Sequence, residues 1–597
     1  MTADSVLAIR SNAVRRYNLV LLLVAGLGGL LYGIDVGIIA GALPYLAATS
    51  GLDAAQLSMV VAAVLLGSVL STLFAGSLAD WLGRKPVMIA SGVCFAVSIP
   101  IIALSQGYTP LLLGRLLQGV SAGLIGVVVP LYLAECLDSL RRGAGTGVFQ
   151  WLLTLGILGA AGIGMYFSLR VAAVAHHGTP QQLFNCKNMA WRSIFWASLP
   201  PSLLFILGSL WVCESPRWLY KRGQSDAALA ALMRSRSPQQ AMLELQEMRE
   251  LTVPAEASRR SYARGSLLQK RYVKPFVLAC VILACNQATG INSIIGYNAN
   301  ILLQAGLSDV QAHWGYVIFA GLNFLMTIAG VLLVDRIGRK WLLGTGALGI
   351  VVSLTVVGGL FYRSEANRLD CRAAVQAMIK PDGSTRIHFN GKMAAHWLPL
   401  HGPVSLRQRG HAYSLVVIYS VGDFSAATPA VRSDSRSSAV IGIRRAACLP
   451  ANAVIAFFEN PLASYRQAQK APLVIDHAWL TPVPGAAHGW LTLAALLAFL
   501  SFYAVGPGVC VWLALSELMP TRIRSVGMSI ALVLNQAVST LIAATFLPMV
   551  GGWGYSTVFF GFAACTVVYF IAAAFFLPET RGKTLEEIEM LFQGLKS

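Results

Sequence analysis

Twelve apolar segments, each long enough to cross a bilayer as a helix, constrain this chain more than any other feature. A helix needs about 20 apolar residues to cross ~30 Å of hydrocarbon. Because 56% of the residues are hydrophobic and 12% are charged, the chain has more apolar surface than a soluble core buries. The sequence therefore predicts an all-α integral membrane protein in contact with lipid, with spans near 19–43, 57–78, 86–104, 111–133, 146–170, 191–213, 273–303, 313–334, 341–362, 489–516, 525–548 and 554–577.

Basic residues cluster in short loops on one side of these spans. The stretches on the other side contain no Lys or Arg: 44–56, 105–110, 304–312 and 549–553. The positive-inside rule predicts that the basic loops and both termini are cytoplasmic, in an inner or plasma membrane. Anchoring by these loops explains the net charge of +19, so binding to nucleic acid is not expected.

An internal repeat divides the chain into two six-helix bundles. The loop Asp80-Trp-Leu-Gly-Arg84-Lys85 recurs 255 residues later as Asp335-Arg-Ile-Gly-Arg339-Lys340. Two further pairs repeat with different offsets: Glu135 and Arg142 with Glu517 and Arg524 at 382 residues, and Glu214 with Glu579 at 365 residues. A parallel repeat of this kind is typical of secondary transporters.

The changes in offset locate two insertions. They place 127 extra residues in the second half and 17 in the first, which we assign to the polar stretch 363–488 and to a loop at 171–190. Both are predicted to lie outside the cytoplasm, and 363–488 is predicted to be dispensable for transport because both bundles are complete without it. Strand-like runs leave a small folded module and a disordered loop as equal alternatives for 363–488: Tyr413–Tyr419, Ala439–Ile443 and Val454–Phe458.

The predicted organisation follows from the repeat and the insertions. A cytoplasmic linker of short helices, with breaks at Pro238 and Pro254, joins the two bundles. The predicted units are the N-terminal bundle 1–213, the linker 214–272, the first three spans of the C-terminal bundle 273–362, the insertion 363–488, and the last three spans with a cytoplasmic tail 489–597.

Acidic and basic side chains recur at matched positions at the cytoplasmic helix ends of both halves. Such pairs can form in one conformation and separate in another, so the pattern predicts a gate. For any single cluster, a solvated face that only sets the topology is the alternative. The predicted gating residues are Asp80, Arg84, Glu135, Arg142, Glu214 and Arg217, with Asp335, Arg339, Glu517, Arg524, Glu579 and Arg581.

These and further motifs resemble the sugar porter family of the major facilitator superfamily, closest to its bacterial proton-coupled hexose and pentose symporters. The resemblance covers all twelve spans and does not cover 363–488. It implies two bundles that rock to give alternating access to a sugar site near the bilayer midplane. The motifs that carry it are Gly114-Arg115, Glu135 through Arg142-Gly143, Glu214-Ser-Pro-Arg-Trp-Leu, Gln287-Ala-Thr-Gly-Ile-Asn292, Gly506-Pro-Gly508 with Trp512, and Pro578-Glu-Thr-Arg-Gly-Lys583.

A sugar presents hydroxyls and a weakly apolar face, so its site needs amides and an aromatic platform. Gln287 and Asn292 on span seven are suited to this role, although a helix–helix hydrogen bond is the alternative for an amide in a span. The resemblance implies further sugar-contacting positions at Gln150, Asn323, Trp512 and Asn535. Asn286 and Gly296 depart from the family pattern of Gln and Tyr, which leaves hexoses, pentoses and a cyclitol such as inositol open as substrates.

Asp35 lies deep in span one, and Arg115 lies near the start of span four. An ionisable residue at such a depth is functional by default. The family's symporters resemble this sequence at Asp35, whereas its facilitators have a neutral residue there. We therefore predict proton-coupled import of a monosaccharide, with Asp35 as the coupling residue and Arg115 as its partner. Snorkelling of Arg115 to the surface is the alternative for that residue.

Two other functions stay open, a passive sugar or polyol facilitator and a non-transporting sugar sensor. The sequence contains no enzymatic, metal-binding or cofactor motif, so none of these is predicted. In an oxidising compartment Cys186, Cys371 and Cys448 could form a disulfide. The oligomeric state is not predicted.

Overall fold

A computed structural model describes residues 3–137, 142–261, 270–380, 384–401, 412–434, 439–450, 452–453, 456, 460, 463–518 and 524–579. Twelve helical segments in these ranges are long and apolar enough to cross a membrane, which is the number that the sequence predicts. Eight of the ten residues from Asp35 to Pro44 are buried, as expected for a span surrounded by other helices.

The twelve spans are numbered in chain order. Spans 1 to 6 are Ala3–Thr49, Ala54–Leu82, Arg84–Ala103, Tyr108–Cys136, Arg142–His177 and, in two pieces, Pro180–Trp196 with Leu199–Trp211. Spans 7 to 12 are Lys270–Ala288 with Ile291–Gly296 and Asn298–Gln304, Asp309–Ile337, Arg339–Glu365, Ala486–Val505 with Pro507–Leu518, Arg524–Trp553, and Tyr555–Ile571 with a π-helical end at Ala572–Phe576.

The two halves of the molecule repeat the same packing. Span 1 packs against span 5 and span 3 against span 6, as span 7 packs against span 11 and span 9 against span 12. The halves meet along two main seams, where span 5 packs against span 8 and span 2 against span 11, and span 1 also packs against span 7. We call the end that carries Arg84 and Arg339 the basic face, and the opposite end, where 363–488 joins spans 9 and 10, the insertion face.

The stretch 171–190 is helical, so the prediction of a loop there is wrong. Span 5 continues to His177, and span 6 begins at Pro180 after a two-residue turn. Thr179 caps span 6 through a reciprocal hydrogen-bond pair with Gln182, and proline is favoured in a first helical turn. The extra residues of the first half therefore lengthen two helices.

The linker contains the helices Pro216–Lys221, Ser225–Ser235 and Pro238–Ser261. The predicted break at Pro238 is confirmed because a helix begins there. The predicted break at Pro254 is wrong, since the third linker helix continues through it.

The insertion forms a folded module with two antiparallel sheets. The strands are β1 Leu369–Asp370, β2 Ser384–Phe389, β3 Tyr413–Val421, β4 Phe424–Ala427, β5 Val431–Arg432, β6 Ala439–Arg444 and β7 Leu473–Pro482. The larger sheet has the order β1-β7-β3-β4, with β5 also paired to β3, and β2 pairs with β6. Short helices complete it at Arg372–Gln376, Gly391–His401, Arg445–Cys448 and Tyr465–Ala468.

The module has a hydrophobic core made only of its own residues, including Ile387, Leu415 and Ile475. The strands predicted at Tyr413–Tyr419 and Ala439–Ile443 are present, whereas Val454–Phe458 lies mostly outside the described residues. The folded alternative therefore holds for the described residues of 363–488.

The module sits over one of the seams. Strand β4 packs against span 2 of the first half and span 11 of the second. Arg432 donates hydrogen bonds to the carbonyl oxygens of Leu303 at 2.6 Å and Leu307 at 2.9 Å, at the end of span 7. The module is therefore fixed to the second half and also touches the first.

The three cysteines considered for a disulfide are free thiols: Cys186, Cys371 and Cys448. Cys371 and Cys448 are both buried in the module, and the Cys448 thiol points at the carbonyl oxygen of Phe424, 2.8 Å away. The structure therefore contains no disulfide among these three.

Replacing residues 366–485 by a short glycine–serine linker should leave the twelve-span body folded. The core of the module is separate, and spans 9 and 10 pack side by side, so a short linker can join them. We expect a monodisperse peak on size-exclusion chromatography and a higher helical fraction per residue by circular dichroism than in the full chain, because the removed module is rich in strands. Aggregation of this variant in several detergents would contradict the separation of the two cores.

Candidate functional site

Asp35 and Arg115 form an ion pair in the interior of the first half. A guanidinium nitrogen of Arg115 lies 3.6 Å from Oδ1 of Asp35, and their side chains are 2% and 0% exposed. Arg115 also lies over the ring of Phe195, with 5.6 Å from the guanidinium carbon to the ring centroid. Its burial excludes snorkelling to the surface, the alternative that the sequence left open.

The two partners are held to different degrees. Arg115 donates to Oε1 of Gln118 at 2.7 Å and to the carbonyl oxygen of Val60 at 3.4 Å. In the described part of the chain, neither carboxylate oxygen of Asp35 receives a hydrogen bond. The charge of Asp35 is therefore stabilised mainly by a single ion pair, an arrangement that a proton can cancel.

The amides predicted on span 7 lie at a break in that helix. Asn292 donates to Oε1 of Gln287 at 3.0 Å and to the hydroxyl of Ser539 on span 11 at 2.7 Å. The helix stops at Ala288 and resumes at Ile291. Gly290 joins the pieces with φ +80°, a left-handed conformation that favours glycine. The break brings the two amides together beside span 11.

Of the other predicted sugar-contacting residues, Asn535 lies on span 11, which packs against span 7 at the break, whereas Gln150 and Asn323 lie on spans 5 and 8, which pack against each other. Asn323 on span 8 and Asn535 on span 11 are buried, and Gln150 on span 5 is half-buried. Oδ1 of Asn535 is buried without a hydrogen bond to any described residue. Trp512 lies in the second piece of span 10, after the predicted break at Gly506, and its side chain is outside the described residues.

Two polar partners in this region were not predicted from the sequence. Ser539 accepts a hydrogen bond from Asn292, and the hydroxyl of Tyr503 on span 10 lies 3.4 Å from Nδ2 of Asn286. Both are far from span 7 in the chain, so no local pattern indicates the contact. Gln118 could have been found, because it follows Arg115 by three residues and so shares its helix face.

On the basic face, Arg84 is the centre of a charged cluster in the first half. It pairs with Asp80 at 2.9 Å and with Glu135 at 2.8 Å. Glu214 accepts from the backbone nitrogens of Arg84 and Lys85, at 2.9 Å and 3.2 Å. Burial raises the pKa of Glu214 above its ordinary value, against the lowering effect of these hydrogen bonds.

The second half repeats this arrangement. Glu579 accepts from the backbone nitrogens of Arg339 and Lys340, both at 3.2 Å. The guanidinium of Arg339 donates to the carbonyl oxygen of Val334, as Arg84 donates to that of Ala79. The 255-residue repeat is therefore also a repeat of individual hydrogen bonds.

A glycine allows each acidic side chain to approach the turn. Gly83 and Gly338 have φ values of +104° and +101°. A Cβ atom at Gly83 would lie 2.3 Å from the carboxylate of Glu214, and one at Gly338 would lie 2.8 Å from that of Glu579. The left-handed backbone at both turns favours glycine, and any other side chain would displace the carboxylate.

The contacts described above join residues within one half, so a gating role stays a prediction. Arg217 is exposed. The remaining predicted gating residues cannot be placed by their side chains, which lie outside the described residues: Arg142, Asp335, Glu517, Arg524 and Arg581. The geometry on the basic face indicates that each cluster braces its own bundle in the conformation observed.

Comparison with known proteins gives one family and several relatives. The family described as sugar (and other) transporter matches residues 21–379 and 475–592. The glucose transporter GlcP of Staphylococcus epidermidis is 25% identical over 571 residues, covering 95% of each chain. The human proton myo-inositol cotransporter is 26% identical over 580 residues, covering 96% of this chain and 81% of that protein.

A solved structure shares the fold. The inward-open xylose transporter XylE from E. coli gives a TM-score of 0.62 at 20% identity, covering 96% of this chain and 98% of the other. The fold is therefore that of the major facilitator superfamily, as predicted. The matched proteins are transporters, not enzymes.

Removing either amide at the span 7 break should weaken sugar binding. We expect Gln287→Ala or Asn292→Ala to cost about 1–3 kcal/mol, typical of a buried hydrogen bond left unmade. Binding would be measured by titration with the sugar that gives the strongest counterflow. Asn185→Ala, which removes an exposed amide on span 6, is the control. Wild-type affinity in both folded variants would remove these amides from the site.

The two acidic partners of Arg84 should differ in their effect on stability. Glu135→Gln leaves a buried guanidinium without its buried counter-charge, so we expect a loss of roughly 3–5 kcal/mol in the free energy of unfolding. Asp80 is 64% exposed on its side chain, and Asp80→Asn should cost about 0–1 kcal/mol. Reversible unfolding in mixed micelles measures both, and equal losses would contradict the central role of the Glu135 pair.

Proposed function

This chain belongs to the sugar (and other) transporter family, and from that premise we propose that it is a secondary active transporter that imports a hexose or pentose together with a proton. It alternates access by rocking one six-helix half against the other. The observation that carries the proposal is the buried Asp35–Arg115 ion pair, in which the carboxylate has one charged partner and no hydrogen bond from a described residue.

Proton coupling follows from the energetics of this pair. Each buried charge lowers the cost of the other, so an ionised Asp35 holds Arg115 when no proton is bound. A proton on Asp35 removes the attraction and leaves Arg115 to its contacts with Gln118 and Val60. Because a ligand shifts a conformational equilibrium by its differential affinity for the two states, proton binding can drive the halves from one state to the other.

The substrate is proposed from the side chains at the seam between the halves. The amides of Gln287 and Asn292 both donate and accept, which suits a ring of hydroxyls. Gln150, Asn323 and Asn535 add amides from spans 5, 8 and 11, and Trp512 is proposed as the aromatic platform. The names of two relatives support a sugar or cyclitol and a proton: glucose transporter GlcP and proton myo-inositol cotransporter.

The orientation is proposed from the distribution of charge. The basic face is cytoplasmic, both termini lie on that side, and the insertion face is outside the cell or in the periplasm. In this orientation the module of residues 363–488 is extracytoplasmic. A passive facilitator is the second candidate, because one relative is a facilitated glucose transporter, member 12, of Macaca fascicularis at 27% identity.

Asp35→Asn should abolish accumulation of sugar against a gradient and leave sugar binding and counterflow in place. The amide mimics the protonated acid permanently, so no proton can be taken up or released at this position. Uptake driven by a pH gradient and counterflow would both be measured in proteoliposomes. The control is Asp226→Asn, which neutralises an exposed carboxylate in the linker.

The outcomes separate the candidate functions. If the Asp35→Asn variant still concentrates sugar and still acidifies the vesicle lumen when sugar is added, the coupling site lies elsewhere. Wild-type protein that equilibrates sugar without proton movement would instead identify a facilitator. Wild-type protein with binding but no counterflow would identify a sensor.

A further inference from the structure

Three residues of span 8 bond to span 1 at successive turns near the insertion face. The hydroxyl of Tyr316 donates to the carbonyl oxygen of Gly37 at 3.0 Å. One helical turn nearer the insertion face, Nε2 of His313 lies 3.3 Å from the carbonyl oxygen of Gly41. These contacts cross from the second half of the molecule to the first, so they must break when the insertion face opens.

Asp309 completes the row at the face itself. Its Oδ2 accepts from the hydroxyl of Tyr45 at 2.8 Å and from the hydroxyl of Ser168 on span 5 at 3.1 Å. Two spans of the first half therefore donate to one carboxylate oxygen of the second. Hydrogen bonds to a charged acceptor are stronger than those between neutral groups, so this carboxylate is the strongest polar attachment in the row.

The surroundings of His313 contain acceptors at both ring nitrogens. Nδ1 lies 2.8 Å from the carbonyl oxygen of Asp309, and Nε2 faces the carbonyl oxygen of Gly41. A neutral imidazole donates from only one nitrogen. The lone pair of the other nitrogen would then face a carbonyl oxygen, so two acceptors would oppose each other. The imidazolium donates from both. The closed seam therefore fits the protonated ring better than the neutral one.

The charges around the ring are compatible with an imidazolium. Oδ1 of Asp309 lies 3.6 Å from Nδ1. From span 1, the Tyr45 ring stacks on His313 at 5.5 Å between centroids and 7° between planes, so a cation meets an aromatic face. From span 6, Lys187 acts electrostatically on Asp309, and Cys186 acts on Tyr45. Asp309 thus lies between two basic side chains.

We infer that Asp309 and His313 form a proton-sensitive latch that holds the two halves together at the insertion face, with the imidazolium as the closing form. The inference rests on the proposed alternating-access function and assigns it a second titratable site, separate from Asp35. Opening exposes the ring to water, which accepts from either protonation state. Proton binding at His313 therefore favours the closed seam.

The direction of the pH effect follows from this preference. Histidine side chains change charge between about pH 5 and 8. Falling pH on the insertion face should increase the closed population, and rising pH should reduce it. A cavity of about 720 Å³, lined by Arg170, His177 and Cys186 among others, lies between spans 5 and 6, the helices that carry Ser168 and Lys187.

The latch can be tested by spin-label distances across the insertion face. Leu104 at the end of span 3 and Trp553 at the end of span 11 are 66% and 61% exposed and belong to different halves. The native cysteines are replaced and spin labels are attached at these two positions. Double electron–electron resonance in lipid nanodiscs without sugar then gives the closed fraction from pH 5 to 8. We expect this fraction to rise as the pH falls.

Variants assign the effect to the latch. Asp309→Ala should lower the closed-to-open ratio by about tenfold at every pH, as expected for the loss of charge-assisted hydrogen bonds. In an Asp35→Asn background, which removes the protonation step proposed for the coupling carboxylate, His313→Gln should remove the remaining pH dependence. Tyr316→Phe is the matched control, because it removes a bond between the same two spans without a titratable group; it should lower the closed fraction and keep the pH dependence.

Two results would overturn the inference: an undiminished pH dependence when His313→Gln is added to Asp35→Asn, or unchanged distances in Asp309→Ala. If Asp309→Ala does not yield folded protein, Tyr45→Phe removes a donor to the same carboxylate and should lower the closed fraction while keeping the pH dependence. The measurement uses neither sugar nor a proton gradient. Failure of the latch is therefore distinguishable from failure of the proposed symport, which the Asp35→Asn experiment tests.

Discussion

A polar side chain between membrane helices must find its partner inside the protein, because lipid offers none. This constraint decides where the polar residues of this chain lie. Arg115 is buried against Asp35, Arg84 is buried against Glu135, and Asn292 bridges to Ser539. Each partner lies on a different span, so each of these three pairs also joins two helices.

The polar contacts belong to two classes with different consequences for motion. The contacts on the basic face join helices of one half. The hydrogen bonds accepted by Glu214 in the first half recur at Glu579 in the second, so each half is held together by its own contacts. Those near the insertion face cross between halves, through Asp309, Tyr316 and the Ser58–Tyr297 hydroxyl pair. Contacts of the first class can persist through a rocking motion, whereas contacts of the second class must be exchanged for water. Cross-half bonds therefore contribute directly to the equilibrium between states, because they are made in one state and lost in the other.

The features that were predictable from sequence have local causes. Apolar length indicated twelve spans, repeated loop motifs indicated two halves, and the cost of burying a charge indicated that Asp35 needs a partner such as Arg115. The helical form of 171–190 was missed because polar helix ends that extend beyond the bilayer lack apolar length. The contacts of Asp309 and Ser539 were missed because their partners are distant in the chain and meet only when the helices pack.

The position of the module adds a constraint that its separate core does not suggest. Arg432 ties it to the end of span 7, and β4 touches span 2 across the seam. Because the module is fixed to the second half, its contact with span 2 exists only while the insertion face is closed. Whatever free energy that contact supplies favours the closed state, so a module with its own separate core can still shift the conformational equilibrium. The module is then expected to increase the population of the closed state, as the cross-half hydrogen bonds beneath it do.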